Sequence, residues 1–313
     1  MKEKKNVRAE FEKFVAELAQ TLREQGPQSP SELKKIMNGM IKKKPARRKP
    51  INNASRLAQD LIYDAWETRS RSERIRLAKR ALLLDSDCAD AYNVLADDAA
   101  KSIQEAIEYY EKGMAAGRRS LGEKKFKEYT GAFWGFLDTR PYMRAEAGLM
   151  MCLWLAGEYD AAIDHAKEML KLNPNDNQGI RYRLISYLAA LERYDELERF
   201  MKGRYKNDYA AEWLYTRALL SYVKKGDIAT SRRELKNAWD RNKHVPDYLT
   251  GKKRIPRTLP DRITWGGEDE AFCYASENIA AWSKTPGALD WLKLHTDDQN
   301  TSKRKPGGKK SIC

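Results

Sequence analysis

Through most of the chain, apolar residues recur every three or four positions with charged residues between them. That spacing predicts helices that bury one face. Val7, Phe11, Phe14, Val15, Leu18 and Leu22 predict one over 6–25, and Gly26, Pro27 and Pro30 stop it. "SELKKIMNGM" predicts a short second helix with Ser31 as its cap. From Ala54 the pattern is nearly continuous: "ASRLAQDLIYDAWE", "SERIRLAKRALLL", "DAYNVLADDAA" and "IQEAIEYYEKGMAAG" each carry one apolar face. No clean alternating run of β-branched residues interrupts them, so the expected class is all-α. The stretch 117–140 breaks the rhythm and predicts an insertion with irregular aromatic packing.

A longer period lies over the short one. In "LAGEYDAAIDHAKEMLKLNPND" (155–176), Gly157 and Tyr159 mark a turn, Ala162 and Ala166 are small contacts on a helix, and Pro174 ends the unit. A tetratricopeptide unit has this form: helix, turn and helix in about 34 residues, with small side chains where the helices cross. Units starting at Met143, Gln178 and Glu212 lie 35 and 34 residues apart. Leu149 and Leu153, Leu184 and Leu188, and Leu214 and Ala218 then fall on the first helices. An earlier unit starts near Ala89, with Tyr92, Leu95, Ala106 and Tyr110. The expectation is a tetratricopeptide-like α-solenoid of helical hairpins, with N-terminal helices and basic flexible tails. Residues 1–50 form the N-terminal helix and basic linker, 51–292 the repeat domain, and 293–313 a basic disordered tail.

Charge sharpens that division. The net charge is +14 over 313 residues. Residues 1–50 hold 14 Lys and Arg against 6 acidic residues, and 293–313 hold 6 against 2, so the middle is close to neutral. The basicity therefore belongs to the ends and not to the repeats. Cys88, Cys152, Cys273 and Cys313 fall at no metal-ligand spacing and suggest no disulfide framework. No secretory signal opens the chain. The longest apolar run, near "GLMMCLWLAG", is too short to cross a bilayer. A cytoplasmic protein with no membrane segment is expected.

Several flanking segments are less generic: "DTRPYMRAEAGLMMCLW" (138–154), "LNPNDNQGIRY" (172–182), "HVPDYLTGKKRIP" (244–256) and "GGEDEAFCYASENIAAWSKTPGALDWL" (266–292). Over roughly 80–292 they resemble soluble microbial tetratricopeptide proteins related to the human suppressor of tumorigenicity 7 protein. The resemblance implies a repeat scaffold of poorly defined biochemical role and brings no catalytic residues. The animal relatives carry N-terminal membrane segments, which are not found here. The same segments have a local physical sense. Thr139 can cap a helix whose first turn holds Pro141. Pro246 ends a helix. Gly266 and Gly267 open a turn before Glu268, Asp269 and Glu270, acids suited to a helix N-terminus.

Reaction chemistry finds little support. His165, His244 and His295 belong to no zinc or HExxH pattern, with His165 expected on a solvated face and His244 in local hydrogen bonding. There is no phosphate loop and no nucleophile elbow. The chain is expected to be no enzyme and to use no cofactor or metal. Its first helices should line a concave face. Arg144, Met151, Trp154, Tyr182, Trp213 and Leu220 are the candidate partner-binding residues there, and the face is apolar and aromatic. It lacks the cations that grip a peptide's terminal carboxylate. The occupant is a protein or peptide, or the chain's own segment 266–292, which carries Phe272, Tyr274, Trp282 and Trp291. An alternative is nonspecific nucleic-acid binding through Lys42, Lys43, Lys44, Arg47, Arg48 and Lys49 and the C-terminal basic tail.

Overall fold

The structure is a computed structural model that describes residues 10–16, 18, 54–260 and 262–302, with side chains as far as Thr296. Every long regular element among these residues is an α-helix, as the periodicity predicts. The chain divides after Ile180 into two compact units.

In the first unit, helical residues 10–16 and 18 (α1) precede α2 (Ala54–Glu67), α3 (Arg71–Leu84), α4 (Ala89–Asp98) and α5 (Ile103–Tyr129). Two short 3-10 turns, Phe133–Gly135 and Leu137–Thr139, lead into α6 (Arg140–Ala156) and α7 (Tyr159–Leu172). From α2 onward, each α-helix packs on its sequence neighbour, and α4 also touches α2 and α6. The starts are written in side chains. Ser70 Oγ accepts from Glu73 N at 3.3 Å and Ser102 Oγ from Glu105 N at 3.1 Å. Each thereby satisfies an amide that the helix itself leaves unpaired. Gly157 ends α6 at φ 86°, a left-handed turn that suits glycine, and the chain reverses into α7.

Small side chains sit at the crossings. Ala162 and Ala166 are fully buried, as the repeat spacing requires. Gly148 lets the Tyr110 ring lie flat against α6: a Cβ there would meet Tyr110 Cε1 at 2.2 Å. Tyr110 is held in turn by Asp97, to which its hydroxyl donates. The stretch 117–140 is less irregular than expected. It continues α5 past a non-helical Gly122 and then knots Phe126, Phe133 and Tyr142 edge to face, with centroids 4.8–6.0 Å apart.

The second unit contains α8 (Ile180–Ala190), α9 (Tyr194–Met201), α10 (Ala211–Lys225), α11 (Ala229–Arg241), α12 (Val245–Leu249), α13 (Glu268–Lys284) and α14 (Ala288–Ser302). Pro246 starts α12 rather than ending α11, because its missing N–H and fixed φ suit a first helical turn. Helix α11 stops earlier, at Arg241. Helix α13 packs on α10, and α14 packs on α11 and runs to Ser302, into the stretch expected as tail. The helix pairs α6–α7, α8–α9 and α10–α11 fall where the 34-residue spacing places them.

Replacing Gly148 with Ala should cost about 1–3 kcal/mol, because the Tyr110 ring is clamped and cannot step aside. A urea unfolding midpoint equal to that of the unsubstituted chain would contradict this account of the α5–α6 crossing.

Candidate functional site

The two units treat their shares of the candidate residues differently. In the first unit Arg144 is a buried anchor. Its Nε donates to Asp90 Oδ1 at 2.8 Å and its Nη1 to Glu12 Oε1 and Oε2 at 3.1 and 3.2 Å. The guanidinium lies over the Trp66 ring, 4.9 Å from the centroid. Asp90 is fully buried and also accepts from Gln59 Nε2 at 3.1 Å and Asn93 Nδ2 at 3.0 Å. Arg140, one helical turn before Arg144, reaches the same Glu12 at 3.4 Å. Burial pulls the Arg144 guanidinium down, but Asp90 and Glu12 outweigh it and hold it above its ordinary value. Glu12 belongs to α1. The chain's own N-terminal helical segment therefore occupies the arginine pair, a self-contact that the sequence analysis had sought in 266–292.

Further along α6 the surface opens. Met151 and Leu155, four residues apart, are 43% and 69% exposed. Trp154 is half-buried and packs on Tyr159, with ring centroids 4.7 Å apart. Tyr159, expected to mark the turn, is 43% exposed and belongs to this apolar lip. His165 is not on a purely solvated face. Its Nδ1 lies 3.3 Å from Oε1 of the buried Glu146, whose Oε2 has no partner and whose carboxyl is pushed up by burial.

In the second unit Trp213 and Leu220 are buried and present nothing to solvent. Trp213 packs against Phe200 and Tyr205. The C-terminal helix α13 packs on the same α10. Tyr274 of α13 lies over Tyr215, 5.7 Å between centroids, and accepts from Trp282 Nε1 at 2.9 Å. Trp291 of α14 stacks on Tyr222 at 4.5 Å. Within this unit, self-packing by 266–292 is what the structure shows. Tyr182 is half-buried; its hydroxyl donates to Asp208 at 3.1 Å, and Arg181 lies 4.2 Å over its ring. The acids at the start of α13, Glu268, Asp269 and Glu270, all sit in the first turn as expected. Glu270 is also fully buried and takes hydrogen bonds from Asn242 Nδ2 and Gly266 N at 2.9 and 2.7 Å.

Lys42, Lys43, Lys44, Arg47, Arg48 and Lys49 lie outside the described residues, as does the basic sequence after Ser302. Sequence reasoning missed Glu12, Asp90 and Glu212 as structural acids. Asp90 carried a signal, since a lone acid among Ala89, Ala91 and Val94 sits on an apolar face and needs a cation. Glu212 has an Oε2 sealed from solvent without a partner, and burial, with Glu270 and Glu277 nearby, pushes its carboxyl up to about 7. No group of metal-ligating side chains and no helix long and apolar enough to cross a membrane occurs among the described residues.

A profile of the family described as "ST7 protein" matches residues 51–220. The chain is similar to the Drosophila melanogaster "Protein ST7 homolog", 26% identical over 256 residues, which are 74% of this chain and 47% of that protein. It is also similar to the human "Suppressor of tumorigenicity 7 protein-like", 26% over 260 residues (76% of this chain, 45% of that one). Its counterpart in Danio rerio is 27% identical over 251 residues (74% and 43%). The chain spans under half the length of these relatives.

Two outcomes follow from this geometry. Arg144→Ala strands the carboxylate of Asp90 and should cost roughly 3–5 kcal/mol, whereas Arg144→Met with Asp90→Asn should recover much of that; equal losses in both variants would refute the pairing. Glu212 keeps its proton to about pH 7 in the folded chain but loses it near 4.5 when unfolded. Its contribution to stability therefore falls as pH rises through that window, by on the order of 3 kcal/mol. Glu212→Gln should be more stable than the parent at pH 8, with the gap closing toward pH 5; a gap independent of pH would contradict this.

Proposed function

The chain belongs to the ST7 family, and from that premise we propose that it is a non-enzymatic protein-interaction scaffold of tetratricopeptide-type helix pairs. The partner segment lies on the lip of α6 and α7. The observation that carries this reading is the exposure of Met151, Leu155 and Tyr159 beside Trp154, on a helix whose other face is packed. Exposed aliphatic and aromatic side chains gathered at one place gain most from a partner that removes them from water. Met and aromatic residues are also enriched at the centres of protein interfaces. The scaffold reading is supported as well by the charges. Arg144, Asp90 and Glu12 are committed to one another, which holds helices in place and leaves that buried cluster no group turned toward a substrate. We place the protein in the cytoplasm on the same reading, since Cys88, Cys152 and Cys273 are free thiols.

Met151→Asp with Leu155→Asp should abolish co-purification of the protein partner from a native extract. The far-ultraviolet circular dichroism and melting temperature should stay close to those of the parent, because both side chains are already solvated. Undiminished co-purification with the double variant would overturn the placement on the lip.

A further inference from the structure

A second surface lies in the second unit and has different chemistry. Between α12 and α13 the chain runs from Thr250 to Gly267 without regular structure among its described residues. Connections of this length inside a compact unit are unusual and tend to carry function. Both roots are pinned. Lys253 N donates to Asp247 O at 2.9 Å, and its ammonium pairs with Glu268. At the other end Thr264 N donates to Asp269 Oδ2 at 2.8 Å and Asn242 Nδ2 to Gly267 O at 2.9 Å. Pro256 and Pro260 keep the span between the roots from forming a helix and narrow its conformations.

What this fixed loop displays is cationic and apolar together. Arg254, Arg257 and Arg262 are exposed and pair with no carboxylate of a described residue. Leu259 and Ile263 are each 41% exposed and Trp265 54%. Trp265 lies 5.4 Å from Tyr209, itself 65% exposed, and the Arg241 guanidinium sits over both rings at 5.1 and 5.8 Å. Arg241 is held there by its own bond to Tyr209 O at 2.9 Å. The result is a braced ledge of aromatic and aliphatic side chains edged by unpaired guanidiniums.

We infer that the 250–267 loop, with Tyr209 and Arg241, docks an acidic segment of a partner protein that carries apolar anchors. Charge complementarity sets the sign of the partner. Guanidiniums bind carboxylates through paired N–H donors, and no carboxylate of a described residue pairs with these three. The apolar part selects a peptide over the other polyanions. A nucleic-acid strand would stack its bases on open ring faces, whereas these rings lean on one another and on Arg241, and Leu259 and Ile263 offer a base nothing to stack on. A membrane surface would call for apolar side chains at the exposed crest, but Leu259, Ile263 and Trp265 are half-sheltered while the arginines stand out. Because this surface shares no residue with the α6–α7 lip, each can fail without the other.

The test uses the full chain and three labelled probes: a short peptide in which Glu and Asp alternate with Leu and Phe, a thymidylate oligonucleotide, and phosphatidylserine vesicles. The peptide should bind most tightly, with affinity falling as salt is raised. Arg254→Glu, Arg257→Glu and Arg262→Glu together should weaken it by at least about tenfold. Ile263→Ser with Trp265→Ala should weaken it severalfold while leaving the salt dependence in place, and both variants should keep the parent's circular dichroism and its partner capture through Leu155. Peptide binding that survives the arginine reversal, tighter binding of the oligonucleotide or of the vesicles, or no peptide binding at all would each overturn the inference.

Discussion

Arg144 lies between two carboxylates, and the first unit is organised around that contact. Asp90 has no access to water. An ionised acid in such a place is tolerated only beside a counter-charge and donors that fill its lone pairs. Arg144 supplies the charge, and Gln59 and Asn93 supply the remaining donors. Those residues come from α2, α4 and α6, so satisfying one carboxylate fixes three helices in register. Asn93 Nδ2 also donates to Pro141 O at 3.1 Å, which ties the start of α6 to the same point. The apolar core alone would permit these helices to slide, since alanine and leucine pack nearly as well a turn away. A polar contact with defined donors permits one alignment. Glu12 extends the logic to α1: the arginine pair has donors left over, and the N-terminal segment brings the acid that takes them.

The second unit handles buried acids by other means, and the difference is instructive. Glu270 is as deeply buried as Asp90, but much of its compensation comes from neutral donors, Asn242 Nδ2 and Gly266 N, with Arg241 at a longer 3.8 Å. These bonds close the turn that starts α13. Glu212 has neither a close cation nor a donor for Oε2, so its carboxyl resists ionisation. Glu277 is also pushed up by burial, yet Arg183 at 2.5 Å opposes the shift. Within one unit, then, Glu212 and Glu277 are both pushed up by burial, and Glu277 has the Arg183 cation to oppose the shift.

Much of the fold was legible because helix hairpins repeat their chemistry. Alanine at 162 and 166, glycine at 157 and the 34-residue step each have one physical meaning, and the helices lie where they place them. The second turn shows why the pattern had to be read as a period and not as a motif. Glu192 occupies the left-handed conformation there at φ 57°, where glycine would be easier, so the residue type alone gives no signal. The site was legible only in part. Trp213 and Leu220 have the right spacing for an exposed helix face, and periodicity cannot tell a face awaiting a partner from one covered by a later helix of the same chain. Arg144 was picked out by its position, but its role depends on Asp90, 54 residues away, and on Glu12, 132 residues away. Pairings at that separation are set by tertiary packing and leave no local trace.

The two proposed surfaces differ in what they would ask of a partner. The lip around Met151 and Leu155 is built of uncharged side chains, flanked by the exposed Glu158 and Asp160, so an occupant would be held mainly by removal of apolar area from water, a force that salt does not screen. Around the 250–267 loop the field of unpaired guanidiniums reaches into solvent by about a Debye length, roughly 8 Å at physiological ionic strength. Such a field speeds encounter with an acidic segment and loses that advantage as salt rises. In the scaffold proposed above, the two surfaces would divide these properties: one contact that persists once made and another that selects by charge and releases readily. Both proposed surfaces lie at the edges of the helix packing, one at the last turn of α6 and one on a long connection, where side chains can change without disturbing the core.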